Sequence, residues 1–232
     1  MQLQQDQDIK GFSLLELLVV VAIIAGVSAM AYPNFSSWTK DREIRKVSEN
    51  VANLLTTIST QAQRGSLPFV QLYVKPSSTS TSVEFITKGH SAEEYNSNLN
   101  KGTEPSCSTA TSGVFDNNEF DTYESTEIAV QFVDTVGTVC FSKDGTYYQT
   151  NGMLKSNLNI TVEGKVTKNY LIICSKTNAA KKGNKCPLTG KDGLEKPAHL
   201  VKWSRFGNIS KFKLFVKKNK DGVVIKSGWT RQ

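Results

Sequence analysis

Histidine is scarce in this chain of 232 residues, which contains only two. The chain also lacks a Gly-x-Ser-x-Gly nucleophile motif, a Walker phosphate loop, a dinucleotide-binding glycine motif and a His-Glu-x-x-His metal motif. Six prolines and 16 glycines are too few for a low-complexity linker protein. A single long apolar run excludes a transporter with many membrane spans. These absences favour a globular protein that is singly anchored or processed and is not an enzyme.

The cysteines indicate an oxidising compartment. All four follow the apolar run, and their even number favours two disulfides. Cys174 and Cys186 enclose a short loop and are natural partners, which would leave Cys107 with Cys140, although the sequence permits three pairings. Because there is no Cys-x-x-Cys pair and neither histidine has a ligand spacing, we expect no zinc and no other cofactor.

Charge is distributed unevenly along the chain, whose net charge is +7. Residues 165–232 contain 17 lysines and arginines against three acids, whereas residues 1–164 contain 11 basic and 18 acidic residues. A basic region attracts nucleic acid, anionic lipid or an acidic partner chain. The sign of the charge does not choose among these partners.

Aromatic residues interleave with the basic residues of the C-terminal third. Such a pattern could hold a phosphate backbone and stack on bases. In alternating strands, however, the aromatic side chains would point into the core and the lysines to water. The candidate DNA-binding residues are Lys202, Arg205, Lys211, Lys213, Lys217, Lys218, Lys220, Lys226 and Arg231.

The apolar run extends from Phe12 to Pro33. Its 22 residues would rise about 33 Å as a helix, which matches a hydrocarbon layer of about 30 Å. A signal peptide cut after Ala31 is one interpretation, but the acidic leader lacks the positive charge that such peptides carry. A plain uncleaved anchor is another, but an acid such as Glu16 inside a span costs about 2.5–3.5 kcal/mol.

The sequence Gly11-Phe12-Ser13-Leu14-Leu15-Glu16, followed by the apolar stretch, resembles the processing signal of type IV prepilins and type II secretion pseudopilins. The resemblance implies that residues 1–11 are a leader removed by a prepilin peptidase and that the new N-terminal Phe12 is methylated. It also implies that Glu16 serves assembly and that Pro33 bends the helix. The implied location is the bacterial inner membrane, crossed once by residues 12–33, with the head in the periplasm before filament assembly.

The charges in this motif can be interpreted without reference to the family. Cleavage after Gly11 frees an ammonium group on Phe12, and the Glu16 carboxylate of a neighbouring subunit could neutralise it. Burying either charge among apolar helices without a partner would cost several kcal/mol of free energy. Together with this pairing, the resemblance implies other pilin or pseudopilin subunits as partners in a helical hetero-polymer.

The rest of the sequence predicts an α+β fold. Apolar residues spaced by three and four extend the helix through residues 12–64, and Arg64-Gly65 with Pro68 would end it. Residues 65–232 predict a head in which an antiparallel sheet packs on the second half of the helix. The polar tracts 77–82 and 89–127 predict surface loops. Ten strands are predicted: 69–74, 83–86, 128–133, 138–142, 147–149, 160–162, 170–174, 200–204, 211–216 and 223–226.

Two turn patterns resemble the GspH/FimT branch of minor pilins. They are Val139-Cys140-Phe141-Ser142-Lys143-Asp144-Gly145 and Val201-Lys202-Trp203-Ser204-Arg205-Phe206-Gly207. The resemblance implies a structural, minor subunit of a type IV pilus or of a type II secretion pseudopilus. Because some FimT-like minor pilins bind DNA for uptake, DNA binding through the basic C-terminal region is the alternative function.

Overall fold

The computed structural model describes residues 12–76, 82–102, 107, 119–125, 128–131, 137–143, 147–149, 160–167, 169–175, 186, 198–204 and 207–232. These described residues form two helices, α1 (Leu14–Gln63) and α2 (Ala92–Asn100). The strands are β1 (Phe69–Pro76), β2 (Val83–His90), β3 (Glu119–Ser125), β4 (Ile128–Gln131), β5 (Gly137–Ser142), β6 (Tyr147–Gln149), β7 (Ile160–Val162), β8 (Lys165–Thr167), β9 (Tyr170–Ser175), β10 (Ala198–Trp203), β11 (Ile209–Lys218) and β12 (Val224–Arg231).

Helix α1 has well-defined ends. At its start the Ser13 hydroxyl accepts a hydrogen bond from the Leu15 amide at 3.2 Å, as an N-cap side chain does. At its end Gly65 has a φ of 75° and donates its N–H to the Ala62 carbonyl at 3.0 Å. Because glycine adopts this left-handed conformation without steric cost, the Arg64-Gly65 pair ends the helix as the sequence predicts.

The strands form two five-stranded sheets and one two-stranded sheet, all antiparallel. Sheet A has the order β3-β2-β1-β5-β6, and sheet B has the order β12-β11-β10-β9-β4. The two-stranded sheet is β7-β8. The predicted antiparallel architecture packed on the helix is confirmed. The division of the strands into two large sheets was not predicted, because strand patterns do not show which edges meet.

The main core lies between α1 and both sheets. It contains α1 residues from Ile44 to Ala62 together with residues of β1, β2, β5, β9 and β10. Strand β9 contributes to two hydrophobic clusters: Leu171 and Ile173 pack in this one, whereas Tyr170 and Ile172 pack in a second cluster with β7, β11 and β12. Alternate side chains of a strand point to opposite faces, so sheet B is covered on both sides.

The predicted loop 89–127 was wrong in two places, because it contains α2 and β3. The Ser91 side chain accepts a hydrogen bond from the Glu94 amide at 3.2 Å, which is the N-cap half of a Ser-x-x-Glu capping box. Helix α2 buries no residue, so the apolar spacing that predicts a helix is missing. Strand β3 is mostly polar and lies at a sheet edge, so its sequence lacks the alternation of apolar and polar residues by which strands are predicted.

Residues 1–39 and 40–232 form two compact units, and the boundary falls inside α1. The described part of the first unit is helical from Leu14 onward. Among the residues that the structure describes, no helix combines the length and the hydropathy required of a membrane span. The side chains of residues 30–34, including Pro33, lie outside the described set, so the predicted bend there is untested.

Candidate functional site

The first candidate site is the apolar surface of α1 near its N-terminus. Eleven large apolar side chains between Phe12 and Val27 are each 49–82 % exposed. They surround the helix rather than line one side of it, and an all-round apolar helix requires an apolar environment or other helices. Within this chain, the described residues leave this surface uncovered.

Glu16 is the only acidic or basic residue between positions 11 and 39. It lies in the first turn of α1, where a carboxylate interacts favourably with the positive end of the helix dipole. Phe12 lies just before the helix with 82 % of its surface exposed, while Gly11 lies outside the described residues. The processing roles of Gly11 and Phe12 therefore stay predictions.

Residues 7–32 match the family described as the prokaryotic N-terminal methylation motif. The N-terminal segment therefore carries a pilin-like methylation motif. Its long N-terminal helix packed on antiparallel sheets is a pilin-like α+β fold, and the motif marks structural proteins rather than enzymes. The motif implies processing by a prepilin peptidase, anchoring in the inner membrane and assembly with other pilins. No curated protein and no solved structure shows a significant match to this chain.

A second candidate site joins α1 to sheet B. Asp41 Oδ2 accepts a hydrogen bond from Lys213 Nζ of β11 at 2.5 Å, and Asp41 Oδ1 lies 3.2 Å from His199 Nε2 of β10. His199 is only 1 % exposed and Asp41 is 23 % exposed. We call Asp41, His199 and Lys213 the Asp41 cluster.

Two opposing effects set the pKa of Asp41. Burial raises it, but the hydrogen bonds and positive charge supplied by Lys213 and His199 outweigh burial and hold the pKa below its usual value. Burial lowers the pKa of His199, and the hydrogen bond to Asp41 offsets this only in part. Lys213 already balances the Asp41 carboxylate, so a second positive charge on the buried imidazole is unfavourable and His199 is neutral near pH 7.

A second ion pair also joins strand β11 to helix α1. Lys211 Nζ of β11 lies 3.9 Å from Glu49 Oε1, and Arg45 donates to that oxygen at 3.0 Å. Lys211 and Lys213 are among the candidate DNA-binding residues, and the structure places the ammonium groups of both beside carboxylates of α1. This use of lysines to hold a helix was missed, since no short-range sequence pattern connects β11 to α1.

The predicted aromatic stacking surface is not assembled in the described part of the basic region. Trp203, Phe212 and Trp229 are 1–8 % exposed and pack in the two core clusters. Phe215 is half-buried, and Arg205 and Phe206 lie outside the described residues. The basic residues Lys217, Lys220, Lys226 and Arg231 are exposed, whereas Lys202 and Lys218 are half-buried. DNA binding by these residues stays untested.

Both predicted disulfides are present. Cys107 pairs with Cys140 and Cys174 pairs with Cys186, so the described cysteines include no free thiol that could ligate a metal. The described residues also contain no group of three metal-ligating side chains. His90 and His199 are both 1 % exposed and so cannot reach a substrate in solution.

Proposed function

We propose that this protein is a minor structural subunit of a type IV pilus or a type II secretion pseudopilus, in which its α1 packs laterally against the α1 helices of neighbouring subunits. The observation that carries the proposal is the all-round apolar exposure of residues 12–27 directly within the methylation motif. Keeping each large apolar side chain out of water is worth about 1.5–3 kcal/mol, so these eleven residues require lipid around them before assembly and neighbouring α1 helices in the filament.

Glu16 would set the register of this packing. After cleavage the Phe12 ammonium group lies four residues before the carboxylate, and a pair formed between neighbouring subunits neutralises both charges in an apolar bundle. The exposure of Glu16 in the single chain leaves it accessible to a neighbour. Before assembly, residues 12–33 would cross the inner membrane with the head in the periplasm.

Replacing Glu16 tests this proposal. The Glu16→Ala chain should still be cleaved and inserted, but its incorporation into filaments should fall sharply. The matched control is Glu43→Ala, which removes an exposed acid from the same helix outside the motif. Filament fractions and membrane fractions are compared by quantitative immunoblotting. Normal incorporation of Glu16→Ala would contradict the proposed pairing.

The GspH/FimT branch remains part of the proposal. Its support is the turn between β10 and β11, where Ser204 Oγ accepts a hydrogen bond from the Asn208 amide at 3.0 Å. Gly207 in this turn has a φ of 74°. Phe141 of the other pattern is buried, while Asp144 and Gly145 lie outside the described residues.

A second proposed function is DNA binding through the exposed lysine and arginine side chains of β11 and β12. It is favoured by Lys217 and Lys226, which lie directly opposite each other, since two like charges in that position attract an anion. If phosphate contacts carry the binding, affinity must fall steeply as salt rises. Absence of DNA binding by the full chain at low salt would remove this alternative.

A further inference from the structure

The hairpin formed by β11 and β12 has a strongly basic tip, which we define as residues 217–226. It contains four lysines against one acid, Asp221. Lys217, Lys220 and Lys226 are exposed, and Lys217 lies directly opposite Lys226 in the strand pairing. Like charges in that position repel each other, so the hairpin tip favours an anionic partner.

The hairpin tip also exposes two aliphatic side chains. Val223 and Ile225 are 60 % and 58 % exposed, which makes them the most exposed large apolar side chains described in residues 40–232. Nucleic acid is held through its phosphates and by stacking on aromatic side chains, and aliphatic side chains add little to either contact. The headgroup boundary of a bilayer, in contrast, accepts apolar side chains and attracts lysines through anionic headgroups. The aliphatic pair therefore favours an anionic lipid surface.

Hydrogen bonds within the turn hold the hairpin tip in one conformation. Asn219 Oδ1 accepts from the amides of Asp221 at 3.1 Å and Val223 at 2.7 Å. The Asn219 amide donates to the Val223 carbonyl at 2.9 Å, and the amide of Gly222, whose φ is 78°, donates to the Asn219 carbonyl at 3.1 Å. Because the turn is ordered by its own hydrogen bonds, binding through it requires little further loss of conformational entropy.

Contacts along β11 show at which end of the head the hairpin tip lies. Three successive contacts join this part of the chain to α1: Gly207 with Ser59, Lys211 with Glu49, and Lys213 with Asp41. As the chain advances through β11, its contact on α1 therefore moves back toward the start of that helix. Strand β11 continues for five residues after Lys213, a rise of about 17 Å. The hairpin tip thus lies at the Asp41 end of the head rather than at the Gln63 end.

The Asp41 end of the head is also the end from which the chain leads to the proposed membrane span. Phe35 and Trp38 follow that span and are 64 % and 50 % exposed, and aromatic side chains beside a span are typical of the headgroup level. Asp41 is three residues after Trp38, and three residues extend at most about 11 Å in any conformation. The chain itself therefore holds the Asp41 end of the head close to the lipid headgroups.

We infer that the hairpin tip docks on anionic headgroups of the membrane that holds α1 before assembly. Val223 and Ile225 enter the headgroup boundary, and the exposed lysines of the tip lie against lipid phosphates. The inference rests on the proposed function, in which residues 12–33 cross that membrane. Docking gives the head a second attachment besides α1 and so restricts its tilt above the bilayer, and this attachment breaks when the subunit enters a filament.

A polarity-sensitive dye attached to Ile225→Cys tests the contact in the full chain. One labelled chain is placed in each lipid nanodisc, so that no second copy is present, and the lipid is either phosphatidylglycerol or phosphatidylcholine with a headgroup-level quencher. In phosphatidylglycerol the dye emission should shift to the blue and be quenched. The matched control is Leu99→Cys, an exposed apolar position on α2. Because α2 packs beside Phe69, which follows the Gln63 end of α1, a dye there should show neither change.

Neutral substitutions test the part played by charge. Lys217→Gln with Lys226→Gln in the labelled chain should lower the ratio of docked to undocked tip about tenfold in phosphatidylglycerol, and high salt should act in the same direction. The control is Lys101→Gln with Lys143→Gln, two exposed lysines outside the hairpin tip, which should leave the ratio unchanged. Equal quenching at positions 225 and 99 would overturn the inference, as would quenching that responds neither to these lysines nor to salt.

The failure of this inference is distinguishable from the failure of the proposed function. Flotation of the chain with lipid vesicles measures its anchoring separately. A chain that does not float with lipid removes the membrane stage of the proposed function, and the inference with it. A chain that floats while the dye at position 225 stays in water removes only the hairpin contact. A dye that responds to duplex DNA but not to phosphatidylglycerol assigns the hairpin tip to DNA and also overturns the inference.

Discussion

Lys213 of β11 donates a hydrogen bond to Asp41 of α1 across a sequence separation of 172 residues. His199 of the adjacent strand lies against the other carboxylate oxygen. Asp41 lies one turn before Ile44, where the buried face of α1 begins. The Asp41 cluster therefore fixes the start of the packed part of α1 to the centre of sheet B.

Removing the Asp41 carboxylate should destabilise the head. The buried His199 imidazole would lose its hydrogen bond to Asp41, and a buried polar atom left without its partner costs about 1–3 kcal/mol. We expect Asp41→Ala to lower the free energy of unfolding of the full chain in detergent by that amount, as measured in urea. The exposed Glu43→Ala on the same helix should change it by less than about 0.5 kcal/mol. Equal losses from both variants would contradict this role of Asp41.

The same cluster should make stability depend on pH. Since the folded pKa of His199 lies below its ordinary value of 6.5, the unfolded chain binds more protons than the folded chain just below pH 6.5. The free energy of unfolding should therefore fall as pH drops through this range. A further loss should begin near pH 3.8, because the folded pKa of Asp41 is also lowered.

A histidine variant isolates the first of these two phases. His199→Gln removes the titrating group and keeps a polar side chain, so the slope of stability against pH just below 6.5 should become shallower. Urea unfolding is measured at a series of pH values for both chains. An unchanged slope in His199→Gln would assign the pH dependence to another group.

Gly207 is required by a close approach of the β10–β11 turn to α1. A Cβ atom at this position would lie 2.8 Å from Ser59 Cβ, and the φ of 74° is already unfavourable for other residues. Gly164 has nearly the same φ, 76°, but nothing lies within 4 Å of its Cβ position. Gly164→Ala should therefore cost only the strain of about 1–2 kcal/mol, and Gly207→Ala should cost more. Equal thermal denaturation midpoints for the two variants would exclude the contact.

Local patterns allowed much of the fold to be predicted. The three- and four-residue spacing from Ile44 to Ala62 predicted the buried face of α1, and alternating apolar residues predicted strands such as β9. Helix α2 and strand β3 were missed because neither shows a strong apolar pattern. The division into two sheets depends on long-range pairing that no local pattern encodes.

The candidate sites divide in the same way. Residues 11–16 could be proposed from the sequence because the methylation motif is local and its residues lie in fixed register. The Asp41 cluster was missed because its three members are distant in the sequence and each is an ordinary residue by itself. Only the packing of β10 and β11 on α1 brings them together.

The N-terminus of the mature protein tests the central claim most directly. Intact mass measurement and N-terminal peptide sequencing of protein purified from the producing cells identify its first residue and any modification. The account predicts a chain that begins at Phe12 and carries a methylated α-amino group. A mature chain that retains Met1, or one that begins at Tyr32 after signal-peptide cleavage, would contradict it.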